Sequence, residues 1–210
     1  MSYVPEAYDS LPSLRLAGEL FRKKNAAEQL LGPIRQLFLD RSLYHKYGIS
    51  LLHKHFPIQA TERLVDYHHV ASPWTVGSQT ALVVPRYEGA IVPRTFRFFG
   101  GRAIPYEFSF SATIPPMEEH EGFLQDVSNL LREHDLDEIF GVRLLDDHDP
   151  ELSMEVTEGK ANIMMPVGSL PDSALTEAFW VFSPNEDQKC HCQERCRTID
   201  GEHKADHGCS

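Results

Sequence analysis

The sequence predicts an α+β fold: largely antiparallel sheet with helices on one face, followed by a Cys/His-rich C-terminal tail. Three observations carry this. Helical periodicity is confined to two stretches, strand-like runs with short connections fill the rest, and hydrophobicity collapses after Pro184. The order helices, strands, helix, strands lacks the regular alternation that a doubly wound parallel sheet requires. The expected units are residues 1–47 (N-terminal helices), 48–184 (the α+β body, one main domain with 1–47) and 185–210 (the tail).

Taken in order, Leu14, Ala17, Leu20 and Phe21 recur at helical spacing. The pattern pauses at Gly32-Pro33, and Pro33 suits the first turn of a second helix carrying Ile34, Leu37 and Phe38. After Gly48 the chain reads as strands. Ile49–Phe56 and Glu62–His69 flank the short connection Pro57–Thr61, which predicts a hairpin. Thr80–Tyr87 and Ala90–Phe99 each hold a Val-Pro-Arg triplet, and a proline donates nothing to a ladder, so an edge or a bulge is expected. In Ala103–Ser111 the residues Ile104, Tyr106, Phe108 and Phe110 alternate with Pro105, Glu107 and Ser109. A longer turn or bulge near Gly100 would bring Phe96 and Phe98 onto the face of Tyr106 and Phe108. Pro115-Pro116 precedes a helix over Met117–His134 with the stripe Phe123, Leu124, Val127, Leu130 and Leu131. Strand-like runs follow at Phe140–Leu145, Leu152–Thr157, Asn162–Val167 and Thr176–Phe182.

The 210 residues hold 20 Lys+Arg against 31 Asp+Glu, a net charge of −11. Such a field repels phosphate backbones and anionic lipid, so neither nucleic acid nor membrane is expected as a partner. Residues 1–20 show no basic segment followed by an apolar run, and no apolar run approaches the length of a transmembrane helix. The expected location is therefore cytoplasmic or nuclear, where clustered Cys and His more often mean metal than disulfide.

All four cysteines fall in the last 21 residues (Cys190, Cys192, Cys196, Cys209), interleaved with His191, His203 and His207. The cleanest tetrad for a structural zinc is Cys192, Cys196, His203 and His207, with Asp200-Gly201 reversing the chain between the pairs. Cys190, His191 and Cys209 are spare ligands. A tail binding several metal equivalents without a fixed fold is a further reading.

A second constellation is Leu51-Leu52-His53-Lys54-His55-Phe56. Two histidines at i and i+2 of a strand share a face, a geometry that suits a metal or a general base. The expected hairpin register leaves His69 too far from His53 to join them, so completing the site takes a different pairing or a ligand from another element such as Glu62 or Glu107. Asp146-Asp147-His148-Asp149 reads as a solvated turn ending at Pro150.

The segment Tyr47–Phe56 and the tail Asp200–His207 resemble a group of uncharacterised proteins from filamentous fungi. The resemblance implies a fungal origin and a setting near specialised metabolism, and brings no catalytic residue. Two functions follow from the residues. One is an interaction module with a zinc tail, docking a protein through an apolar patch near Trp74 or Trp180. The other is an enzyme on a small molecule, with His53 or His55 as base or metal ligand and a pocket against Phe96, Phe98, Tyr106 and Phe108.

Overall fold

The computed structural model describes residues 3–76, 90–110, 120–146, 152–166 and 175–197. Its N-terminal part holds α1 (Pro5–Asp9), α2 (Leu14–Lys23), α3 (Ala26–Gln29) and α4 (Arg35–Asp40). Ser13 caps α2, its side chain accepting from the Leu16 amide and so satisfying one of the free N–H groups of the first turn. Between α3 and α4 the helical path kinks at Gly32, where the sequence pattern pauses. The long helix α5 (Glu121–Glu133) buries Phe123, Leu124, Val127 and Leu131.

The strands are β1 (Tyr47–Leu51), β2 (Glu62–Tyr67), β3 (Val70–Thr75), β4 (Ile91–Phe99), β5 (Arg102–Phe110), β6 (Phe140–Leu144), β7 (Ser153–Glu158), β8 (Ala161–Pro166), β9 (Thr176–Phe182) and β10 (Cys190–Arg197). They close into one ten-stranded barrel in the order β1-β6-β4-β5-β2-β3-β8-β7-β10-β9. The α+β expectation is therefore corrected. The sheet closes on itself and is mixed, since β2 pairs with β5 and β10 pairs with β7 in parallel. The reason lies at the C-terminus: the segment where hydrophobicity collapses supplies β10, which pairs with β9 on one side and β7 on the other. Closure leaves no free edge there.

Two local expectations also change. Ile49–Phe56 and Glu62–His69 do not form a hairpin; β1 pairs with β6 and β9 instead. His68 and His69 are not strand residues but adopt positive φ (51° and 67°), forming the two-residue turn between β2 and β3. Tight hairpin turns need such φ values, usually supplied by Asn-Gly, so the sequence carried no warning. Gly100 and Gly101, at φ 58° and 76°, make a strict two-residue turn from Phe99 to Arg102. The irregularity in this hairpin lies around Thr95, two residues past Pro93, rather than at Gly100. Phe96 and Phe98 consequently belong to a different cluster from Tyr106 and from Phe108, and no common aromatic face forms. Thr80–Tyr87, with its own Val-Pro-Arg triplet, lies outside the described residues.

The main hydrophobic core lies between the barrel wall and the helices. Tyr47, Ile49 and Leu51 of β1, Phe140, Val142 and Leu144 of β6, and Ala178, Trp180 and Phe182 of β9 pack with Leu14, Phe38, Phe123 and Val127. Each large apolar side chain buried there contributes about 1.5–3 kcal/mol. Trp180 is 3% exposed and stacks on Phe21, so it presents no outer patch; Trp74 is half-buried against Tyr67 and Phe110. Among the described residues, no helix is long and apolar enough to cross a membrane.

Candidate metal centre

With the apolar residues of β1 and β6 facing the helices, the period-2 alternation of a strand turns their neighbours inward. Those neighbours are polar or small: Ser50 on β1, Gly141 and Arg143 on β6. A Cβ on Gly141 would sit 2.3 Å from the Phe96 carbonyl oxygen and 2.8 Å from the Leu52 side chain, so this position admits only glycine. Beyond Leu51 the chain leaves the sheet. Its course to Phe56 is tied down by the N-terminal segment: the Lys54 amide donates to the Pro12 carbonyl, and Tyr8 Oη donates to the Phe56 carbonyl at 2.9 Å.

This excursion carries His53 and His55 into the lumen. His55 Nε2 lies 3.0 Å from Glu107 of β5, and its Nδ1 lies 2.9 Å from Glu155 of β7. Strands β2, β3 and β8 separate those two, so one imidazole spans the barrel interior. Arg143 of β6 likewise pairs with Glu194 of β10 across the width of β1 and β9, and its guanidinium lies 4.6 Å from the centre of the Phe179 ring. His53 Nδ1 lies 2.8 Å from the Leu51 carbonyl oxygen, and its Nε2 faces Cys196 Sγ at 3.6 Å.

Burial and charge set the protonation states. Burial, helped by the charge on His55, pushes His53 down to about 4, so it is neutral near pH 7. Burial would also lower His55, but Glu155 and Glu107 outweigh it and raise the group to about 10. Glu107 would be raised by burial; its hydrogen bond to His55 and the charge there bring it down to about 2. Glu155 is lowered in the same way, against its burial, by His55. Glu194 is raised by burial despite Arg143, and the Cys196 thiol is pushed well up by burial and the neighbouring carboxylates.

His53, His55 and Glu155 each offer a ligand atom within 4.8 Å of the other two, and Glu155, Glu194 and Cys196 do so as well. Ligand atoms around one first-row ion at about 2.1 Å stand no more than about 4.2 Å apart, a spacing close to the limit within which the first group already lies. Its outer contacts suit a metal. With Nδ1–H of His53 donating to the Leu51 carbonyl, Nε2 presents its lone pair. With Nε2–H of His55 donating to Glu107, Nδ1 presents its own. A ligating histidine almost always donates its second N–H to a carbonyl or carboxylate in this way.

The two sequence constellations thus meet. Cys196 comes from the tail and His53 from the His-Lys-His segment, and both are buried. Cys192, the other cysteine of the expected tetrad, sits four residues earlier on β10; both cysteines belong to the main core cluster, but the Cys192 thiol donates to the Glu194 carbonyl, whereas Cys196 faces His53. Cys190 and His191 are half-buried at the start of that strand. His203, His207 and Cys209 lie outside the described residues, as do Asp147, His148 and Asp149. Glu107, named as a possible third partner, does reach His55; Glu62 lies elsewhere, accepting from the Gln59 amide. Sequence reasoning missed Glu155, Arg143 and Glu194. The signal available was a charged residue at a period-2 position inside an otherwise apolar strand, as in Phe140-Gly-Val-Arg143-Leu144.

Beside the centre lies a cavity of about 40 Å³ lined by His55, Asp66, Arg94, Asn162, Glu155 and Glu194, among others. No family model, curated protein or solved structure matches this chain.

Proposed function

We propose that the protein is a metal-dependent enzyme acting on a small polar molecule inside the barrel, with His53, His55 and Glu155 holding a divalent first-row ion. The observation that carries this reading is the pair of buried imidazoles, each with one nitrogen directed at its neighbours in the cluster and the other anchored, to the Leu51 carbonyl and to Glu107. Two histidines and one carboxylate form a donor set used by catalytic zinc and by non-haem iron, and it leaves positions open for substrate. Such an ion polarises a bound oxygen or lowers the pKa of water. Charge balance supports one cation: +2 with Arg143 offsets Glu107, Glu155 and Glu194 once His55 is neutral. Glu194, raised by burial, is the carboxyl placed to carry a proton during turnover.

The test is metal content of the full chain purified without tag or chelator, beside His53→Ala and His203→Ala. One equivalent in the wild type and in His203→Ala, with none in His53→Ala, is the expected result. Metal retained by His53→Ala and lost from His203→Ala would sink the lumen centre and return the Cys192, Cys196, His203 and His207 tetrad.

A further inference from the structure

One row of residues runs around the barrel from β5 to β7 through directly paired positions: Ser109, Asp66, Ala71, Asn162 and Thr157. Asp66, Ala71 and Asn162 line the same cavity as His55 and Glu155. Three polar atoms of this row, Ser109 Oγ, Asp66 Oδ1 and Asn162 Nδ2, are buried and meet no hydrogen-bond partner among the described residues. Ser109 is 5% exposed and Asn162 only 1%. Native folds rarely leave such atoms unmatched, and three in one row point to a shared partner.

The rest of the row fixes how these atoms are presented. Thr157 Oγ1 donates to Asn162 Oδ1 at 2.8 Å, leaving the Asn162 amide N–H groups for another acceptor. Arg94 donates to Asp66 Oδ2 at 2.6 Å, leaving Oδ1 to accept. Between them Ala71 contributes only a methyl. Two strand spacings separate Asp66 from Asn162, about 10 Å between backbones. Two side chains reaching inward and a molecule of two or three carbons span that gap. The cavity, about 40 Å³, has room for roughly three ordered waters, in keeping with that size.

We infer that this row is a substrate subsite for a short neutral hydroxycarbonyl compound, of the size of a three-carbon keto- or aldo-sugar; the inference rests on the lumen being the reaction chamber proposed above. A ligand hydroxyl donates to Asp66 Oδ1, and a ligand oxygen accepts from Asn162 Nδ2. Ser109 serves either need, and the carbonyl end is directed to the His53, His55 and Glu155 cluster. Neutrality follows from the lining, where Arg94 is matched by Asp66, Arg143 by Glu194 and the proposed ion by Glu107 and Glu155, so no net positive charge is left over for an anionic substrate.

The experiment is calorimetric titration of dihydroxyacetone, with acetone as its hydroxyl-free counterpart, into the metal-containing protein as purified, into Asn162→Leu and into Ser109→Ala. The subsite requires dihydroxyacetone to bind at least tenfold more tightly than acetone, and that advantage to fall at least tenfold in Asn162→Leu and severalfold in Ser109→Ala, with metal content unchanged. Should Asn162→Leu fail to fold, Ser109→Ala, which removes only the hydroxyl, and the acetone comparison decide alone. Equal binding of the two ketones, or a folded Asn162→Leu with wild-type affinity, overturns the subsite whatever the metal content. A metal-free wild type that still binds dihydroxyacetone through Asn162 upholds the subsite while sinking the metal centre.

Discussion

His53 and His55 stand two residues apart, share full burial and hold opposite protonation states. The difference is one of partners. His53 meets a carbonyl and a thiol, and the more distant pull of Glu155 and Glu107 does not make up for its desolvation and the charge on His55, whereas His55 contacts Glu155 and Glu107 directly. In the metal-free protein the His55 imidazolium supplies the positive charge that these carboxylates require, and a divalent ion would replace it. Glu107 then becomes the residue that orients a ligand rather than a ligand itself, because it faces Nε2 while Glu155 faces Nδ1. Glu107→Gln keeps the size and the acceptor but removes the charge. We expect metal affinity to drop about 10- to 100-fold, the usual cost of losing such a partner. Competition with a chromophoric chelator measures it, and an unchanged affinity would remove Glu107 from this role.

At the scale of elements, β10 decides both the fold and the site. It contributes Glu194 and Cys196 to the lumen and closes the ring between β7 and β9. A chain ending at Lys189 would expose the facing edges of those two strands, six paired positions on β9 and four on β7, an invitation to intermolecular pairing. We expect it to aggregate on size-exclusion chromatography and to show no cooperative thermal transition. A chain ending at Arg197 keeps every described strand and should remain monodisperse. A soluble Lys189-terminated monomer that melts at the wild-type temperature would contradict this placement of β10. Sequence reading missed the element for a physical reason. Its inward positions carry Glu194 and Cys196 in place of aliphatic residues, so period-2 hydrophobicity, the usual sign of a strand, is absent. The same inversion hid the site, since charge inside a strand normally marks a solvent face, whereas here it marks a polar lumen. What was legible followed ordinary burial: α2 and α5 from their stripes, β4 to β9 from apolar runs, and His53 with His55 from their shared spacing. The β2–β3 turn was illegible because His68 and His69 take positive φ without a glycine or asparagine between them.

For the whole molecule, the charged lumen ties stability to pH in a way that the apolar core does not. In chelator-treated protein, His55 is raised from its ordinary 6.5 to about 10, so its pairing stabilises fully below pH 6.5 and is lost as pH rises through 10. Cys196, also raised, adds to the loss on the alkaline side. His53 has the opposite sign. Lowered from 6.5 to about 4, it takes up its proton first in the unfolded chain, so stability falls as pH drops across that interval. Glu107, lowered from 4.5 to about 2, and Glu155, lowered likewise, extend the acid limb; their stabilisation is present above 4.5 and lost below. Glu194, raised by burial, works against that limb but is one group against three. The limbs meet near the ordinary histidine value, so the thermal midpoint of the metal-free protein should peak at about pH 6.5 and decline on both sides. His55→Gln should make the alkaline decline shallower, because the imidazolium is gone and the part that Cys196 contributes remains. Loading the metal should flatten the same limb, since the ion has already displaced that proton. Calorimetric scans from acid to alkaline pH, with and without chelator, read all three. A midpoint that still rises from neutral to pH 9 in the metal-free protein would mean that His55 carries no proton there, and the lumen's charge balance would have to be assigned anew.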